Sequence, residues 1–150
     1  MLEQFKGKLI ISCQALPDEP LHSSFIMGRM ALAAKQAGAV GIRAQSTGDI
    51  VEIKKVTGLP IIGLIKHPYE DSEIYITPTH EEVEDLIETG CEIIALDATL
   101  RRRPGDEKLK DLLDMIHAAG RLALADISND DEGRNAEAIR FDCVSPTTSG

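Results

Sequence analysis

The feature that most constrains this chain is one pattern used again and again: a short apolar run, a polar connection, then a helical stretch that closes on glycine. Apolar runs fall at residues 8–14, 40–43, 60–66, 92–97 and 121–127, and a sixth begins at 142–144. Helical patterns lie between them. One runs over 24–37, with Met27, Met30, Ala31, Ala34 and Ala37 at the spacing of a single face and Gly38 behind it. The next opens on Ser46, with Asp49 three residues on, and closes on Gly58. The stretch Thr79-His80-Glu81-Glu82 matches a capping box and opens a helix that ends at Gly90. A fourth runs to Gly120, and Ser128 with Asp131 marks the start of a fifth. A strand-helix unit used five times with a sixth begun predicts an α/β fold with a parallel sheet and right-handed crossovers.

Two parallel architectures accept such a chain. An open doubly wound sheet suits 150 residues, whereas a closed eight-stranded barrel at this spacing needs roughly 220. The strand ends point the other way. The first five runs finish in or beside Gln14, Arg43, Lys66, Asp97 and Asp126, and the longest connections leave from those same ends. An open sheet gathers only the strand ends beside its switch point, whereas a barrel gathers all of them in one mouth. The expectation is therefore a single domain over 1–150, a (β/α)8 TIM barrel truncated to about its first six β/α units.

Composition narrows the function. With 43% apolar residues the chain can bury a core. No run is long enough to span a bilayer, and Met1 to Lys6 lacks the apolar stretch of a secretion signal, so a cytoplasmic location and no membrane partner are expected. Cys13, Cys91 and Cys143 form no Cys-x-x-Cys pair and read as reduced, buried thiols. A net charge of −9 and 3% aromatic residues argue against nucleic acid, while a small anion can still be held by local amides and a few basic groups. Nothing in the composition decides whether the chain forms a homo-oligomer.

The run Pro60-Ile61-Ile62-Gly63-Leu64-Ile65-Lys66 reads as a buried strand ending in one lysine. An amine at a sheet rim, in low dielectric and beside a cation such as Arg43, loses basicity and becomes a base at neutral pH. Lys66 is accordingly the catalytic candidate. Arg43 suits a phosphate or a developing enolate, or pairs with Asp97 or Asp126. Gln14 can read sugar hydroxyls or bond backbone. Asp126 is expected at the ligand and Asp97 in a bracing role. Arg101, Arg102 and Arg103 read as a solvated loop offsetting nearby acids, with a phosphate clamp as the alternative because the run lies on the catalytic side. His22, His67, His80 and His117 lack metal spacing, so no metal is expected; His67 directly follows Lys66 and is placed to tune it. A strand-end lysine also suits a Schiff-base aldolase, and a third reading is a catalytically incomplete barrel fragment with exposed sheet edges.

The segments Ile11-Ser12-Cys13-Gln14-Ala15-Leu16, Gly38-Ala39-Val40-Gly41-Ile42-Arg43-Ala44, Ile61-Ile62-Gly63-Leu64-Ile65-Lys66, Ile76-Thr77-Pro78-Thr79, Ile93-Ile94-Ala95-Leu96-Asp97-Ala98-Thr99 and Ala125-Asp126-Ile127-Ser128, in this order, resemble the bacterial N-acylmannosamine-6-phosphate 2-epimerases of sialic acid catabolism. The resemblance implies a complete barrel, no redox cofactor, and inversion of the carbon bearing the acylamino group of a phosphorylated amino sugar. It implies that Lys66 is the acid/base, assisted by a glutamate beyond this sequence, and that Gln14, Arg43 and Asp126 line the sugar pocket. It places the phosphate on loops after strands seven and eight, outside this sequence. The family reads Gly-Thr-Thr after strand six, where this chain has Ser145-Pro146-Thr147 before Thr148-Ser149-Gly150. Thr147 is the substrate-contact candidate there.

Overall fold

The computed structural model describes residues 1–149, and Gly150 lies outside them. Six strands, β1 (Ile10–Cys13), β2 (Gly41–Gln45), β3 (Ile61–Leu64), β4 (Ile93–Asp97), β5 (Leu122–Asp126) and β6 (Cys143–Ser145), pair in chain order, every neighbouring pair parallel. The crossovers carry α1 (Ser24–Gln36), α2 (Thr47–Thr57), α3 (His80–Thr89), α4 (Leu109–Ala118) and α5 (Asp130–Ala138). Strict sequential order without a switch point is barrel winding. The strand-end argument therefore decides the architecture over the length argument, and the sheet is a curled half-barrel.

The two sheet faces separate cleanly by register. Ile42, Ala44, Ile61, Ile94, Leu96 and Ala123 face the helices and pack with Met27, Ile50, Ile53, Val83, Leu86, Leu112, Leu113 and Ile116. Ile10, Ile62, Leu64, Ile93, Ala95, Leu122, Leu124 and Cys143 point to the opposite, concave side. Each fully buried isoleucine, leucine, valine or methionine among them stabilises the fold by about 1.5–3 kcal/mol. The 3-10 turn Leu2–Phe5 places Leu2 and Phe5 at the base of the concave side. A side chain at Gly41 would meet the Phe5 ring at 3.0 Å, so this glycine makes room for the plug. At Gly63, on the helix face, an added Cβ would lie 2.9 Å from both Cys91 Sγ and Ile50 Cδ1.

Several local expectations hold. Ser46 caps α2 by accepting from the Asp49 amide, Thr79 and Glu82 form the capping box of α3, and Gly58 and Gly90 close these helices in the left-handed conformation. Others do not. The cap of α5 is Asn129, because its side chain accepts from the Glu132 amide while the Ser128 hydroxyl donates to the Glu132 carboxylate. On α1, Met27, Gly28 and Ala31 are buried but Met30 and Ala37 are exposed. That helix is held against α2 partly by polar contacts, with Ser24 Oγ donating to Asp49 Oδ1 at 2.6 Å and Lys35 Nζ to the Thr57 carbonyl at 2.6 Å. All three cysteines are free; Cys13 and Cys91 are buried and Cys143 is half-buried.

Strands β3 and β4 pair over only Ile62↔Ile93 and Gly63↔Ile94 before they part. The gap above is filled by the end of the long connection after β3. Lys66 bridges Ile76 in antiparallel fashion, the Thr77 amide donates to the Ile65 carbonyl at 2.7 Å, and the Asp97 amide donates to the Ile76 carbonyl at 3.1 Å. The Thr77 hydroxyl donates to the Ala95 carbonyl at 2.7 Å and accepts from the Ile65 amide at 3.3 Å. Residues 76 and 77 are thus a wedge between two strand tips, and the wedge forms one wall of the site.

Candidate active site

The polar ends of the strands meet at the top of the concave side, around a cavity of about 570 Å³ lined by residues from 12 to 148. Register explains the gathering. Ser12 lies opposite Arg43, and Asp97 opposite Asp126, which lies opposite Ser145, so these residues share the concave face.

Lys66 stands two residues beyond the end of β3, half-buried, in the cavity wall. Burial pulls its amine below the ordinary lysine range and the Arg43 guanidinium pulls it further, while Glu19 and Asp126 act in the opposite sense. Glu19 comes from the proline-bearing connection after β1, a charge near the amine that no sequence motif marks.

Arg43 reaches across the concave face from β2 to β5. Its Nη1 donates to Asp126 Oδ1 at 3.0 Å and its Nη2 to Asp126 Oδ2 at 2.7 Å. Asp126 is fully buried, and Arg43 keeps 14% of its side chain exposed toward the cavity. Both Asp126 oxygens are thus committed to Arg43, and the aspartate stands behind the cavity wall. The guanidinium is fixed as a bidentate fork with one edge free.

Gln14 lines the cavity, its amide nitrogen donating to Ser12 Oγ at 2.8 Å. Its Oε1 is buried and has no hydrogen-bond partner among the described residues, and the same holds for Thr148 Oγ1, also in the cavity wall. Thr147 lies beside them, within 2.8 Å of the Ser145 hydroxyl. Lys66, Arg43, Gln14 and Thr147 are therefore brought together, joined by Ser12, Tyr75, Ile76 and Thr148, none of which the sequence singles out as a site residue.

The arginine run divides three ways: exposed Arg101 and Arg102 pair with nearby acids as expected, and buried Arg103 corrects the expectation of a solvated loop. Arg102 is exposed and pairs with Asp106 at 2.5 Å. Arg101 turns into the cavity wall, donating to Asp97 Oδ2 at 2.7 Å. Arg103 is only 4% exposed and donates to the Thr77, Pro78 and Asp97 carbonyls. Asp97 is braced as expected, accepting from the Thr99 amide and hydroxyl as well as from Arg101. His67 turns away from the role assigned to it: its ring lies 4.5 Å from that of Tyr69 and its Nδ1 3.9 Å from Glu82. His22 is bonded to the Ala15 carbonyl, His80 to Glu107 and His117 to Asp142. No group of three or more potential metal ligands occurs among the described residues, and no helix is long and apolar enough to cross a membrane.

An amine made less basic, facing an anchored guanidinium, is the equipment for removing a proton from carbon beside a carbonyl while the developing oxyanion is held. Fold and site together define a (β/α)-barrel protein with a strand-end lysine of lowered basicity beside a fixed guanidinium, an arrangement open to isomerase and aldolase chemistry.

The family model NanE, "Putative N-acetylmannosamine-6-phosphate epimerase", matches residues 27–150. A Clostridium perfringens protein described as "Putative N-acetylmannosamine-6-phosphate 2-epimerase" is 68% identical over all 150 residues, which cover 68% of that protein. A Clostridioides difficile protein of the same description is 64% identical over the whole chain, covering 67% of its length. The solved Clostridium perfringens N-acetylmannosamine-6-phosphate 2-epimerase superposes with a TM-score of 0.96 at 67% identity, over 97% of this chain and 63% of that one. The chain belongs to the N-acetylmannosamine-6-phosphate epimerase family, and it spans about two thirds of the length of these relatives. Of the lysine chemistries open from the residues alone, these relatives carry the epimerase description.

Proposed function

We propose that this chain carries the base-bearing part of an N-acylmannosamine-6-phosphate 2-epimerase, which interconverts that sugar phosphate with N-acylglucosamine 6-phosphate. The observation that carries the reading is the placement of Lys66 in one cavity with the Asp126-anchored Arg43.

The neutral Lys66 amine takes the proton from C2 of the open-chain sugar, and the C2–H electron pair becomes the C1–C2 double bond of an enolate. The C1 oxygen, now negative, is stabilised by the free edge of the Arg43 guanidinium. Return of a proton to the opposite face of C2 restores the aldehyde with inverted configuration. Lys66 serves one face only, and the acid for the opposite face is the assisting glutamate that the family resemblance implies beyond this sequence. Gln14 Oε1 and the Thr147 hydroxyl are the sugar contacts, accepting from or donating to its hydroxyl or amide groups. Asp126 acts on the sugar through Arg43, whose fork it orients.

The test is solvent-deuterium incorporation at C2, run on this chain completed with the part of the Clostridium perfringens relative that it does not cover. Lys66→Ala should lower the exchange rate by at least about a hundredfold. Undiminished exchange in that variant would remove Lys66 from the role of base.

A further inference from the structure

We infer that Arg103, outside the cavity, is a positioning residue for Lys66, holding the wedge of residues 76 and 77 between the tips of β3 and β4. This rests on the reading of Lys66 as the base.

The wedge exists at a cost. Pairing of β3 with β4 stops after two residue pairs, and Thr77, a β-branched residue, sits at a φ of 46°, a backbone conformation that β-branched side chains rarely adopt. Something must hold it there. From the sheet side, the Thr77 amide and hydroxyl bind Ile65 and Ala95. From the other side, a single guanidinium closes three carbonyls at once: Thr77 at 2.7 Å, Pro78 at 3.1 Å, and Asp97. Arg103 therefore ties the wedge to the end of β4. Those three carbonyls have no helix or strand to satisfy them, and a buried carbonyl left open is costly. Burial pulls the guanidinium down to about 10, against the opposing pull of Asp97, Glu107 and Glu82. A buried cation at 4% exposure is a costly staple unless the geometry it holds is needed.

What it holds is the wall beside the base. Ile76 is the residue that Lys66 bridges, it lines the cavity, and it packs with Ile62, Leu64, Ile93, Ala95 and Leu124 on the concave side. If the wedge withdraws, water enters beside Lys66 and the desolvation that lowers its basicity is lost. The charged and titratable groups facing Lys66 are Arg43 from β2, Glu19 and Tyr75 from the connections, Asp97 and Arg101 from the end of β4, and Asp126 from β5. Of these residues only Asp97 is bonded to Arg103, through its backbone carbonyl, so a substitution at 103 removes none of the side chains that face Lys66. A planar guanidinium can satisfy three separated carbonyls and an ammonium cannot, so lysine at 103 keeps the charge but loses the span.

The experiment is competitive acylation of the intact 150-residue chain across pH, reading the labelling of Lys66 against that of Nα-acetyl-lysine amide added as an internal standard. It needs no turnover, so absence of epimerase activity and failure of this inference are separate outcomes. In the wild type Lys66 should titrate below the standard. In Arg103→Gln its titration should move up toward that of the standard by roughly half a pH unit or more, with a smaller move in Arg103→Lys. Arg103→Lys, which retains the buried cation, serves as the readout if Arg103→Gln does not fold. Lower thermal stability with an unmoved Lys66 titration would make Arg103 merely structural and overturn the inference, as would a wild-type Lys66 that titrates with the standard.

Discussion

At Lys66 burial and the charge of Arg43 act in the same direction, and the acids Glu19 and Asp126 only moderate them. With the neutral amine as the proposed base, the proton-abstraction rate should rise as pH increases through the Lys66 pKa and level off above it. That pKa should lie below the ordinary lysine value of 10.5. The pH profile of deuterium exchange in the completed protein checks this, and a rate that keeps climbing through pH 10.5 would contradict it. The partner of Arg43 makes a second prediction. Asp126→Ala leaves a mostly buried guanidinium unpaired and should cost about 3 kcal/mol in urea unfolding, while a loss below about 1 kcal/mol would mean that solvent reaches Arg43 freely. Lys66, Arg43, Gln14 and Asp126 were legible as polar ends of apolar runs. That Arg43 would choose Asp126 over Asp97 was not, because the choice is made by register across a sheet joining residues 83 positions apart.

At the scale of elements, local chemistry was legible where it is local. The Thr79 capping box and the closing glycines Gly58 and Gly90 need only a few residues to specify them. The wedge was not, since Ile74-Tyr75-Ile76 reads as a short alternating piece and only the parting of β3 from β4 gives it a place. Arg103 went unrecognised for the same reason: its three acceptors are carbonyls, which leave no trace in side-chain pattern. The plug formed by Leu2 and Phe5 likewise depends on an inner surface that the sheet must first create. Helix packing offers a sharper test. Gly63→Ala places a methyl 2.9 Å from Cys91 Sγ and Ile50 Cδ1 and should destabilise by about 1–3 kcal/mol. Adding Cys91→Ala should recover part of that loss, and strict additivity in the double-mutant cycle would show that the two sites do not share the space.

For the whole molecule, the repeat of strand and helix pointed to parallel winding, and the gathering of strand ends pointed to the barrel. The described residues supply a sequentially wound sheet with β1 and β6 as its edges, whereas closing a barrel takes eight strands. Lys66, Arg43 and two cavity oxygens without partners among the described residues lie within the six, and in the proposed mechanism the proton returns to the opposite face from a group beyond them. The most direct measurement is C2 deuterium exchange and epimerisation of N-acetylmannosamine 6-phosphate by residues 1–150, side by side with the same chain completed from the Clostridium perfringens relative. The account predicts turnover by the completed protein, its loss in the completed Lys66→Ala variant, and little or none from the six-stranded chain alone. Equal turnover per site by the two wild-type proteins would contradict it, placing the whole of the chemistry within the half-barrel.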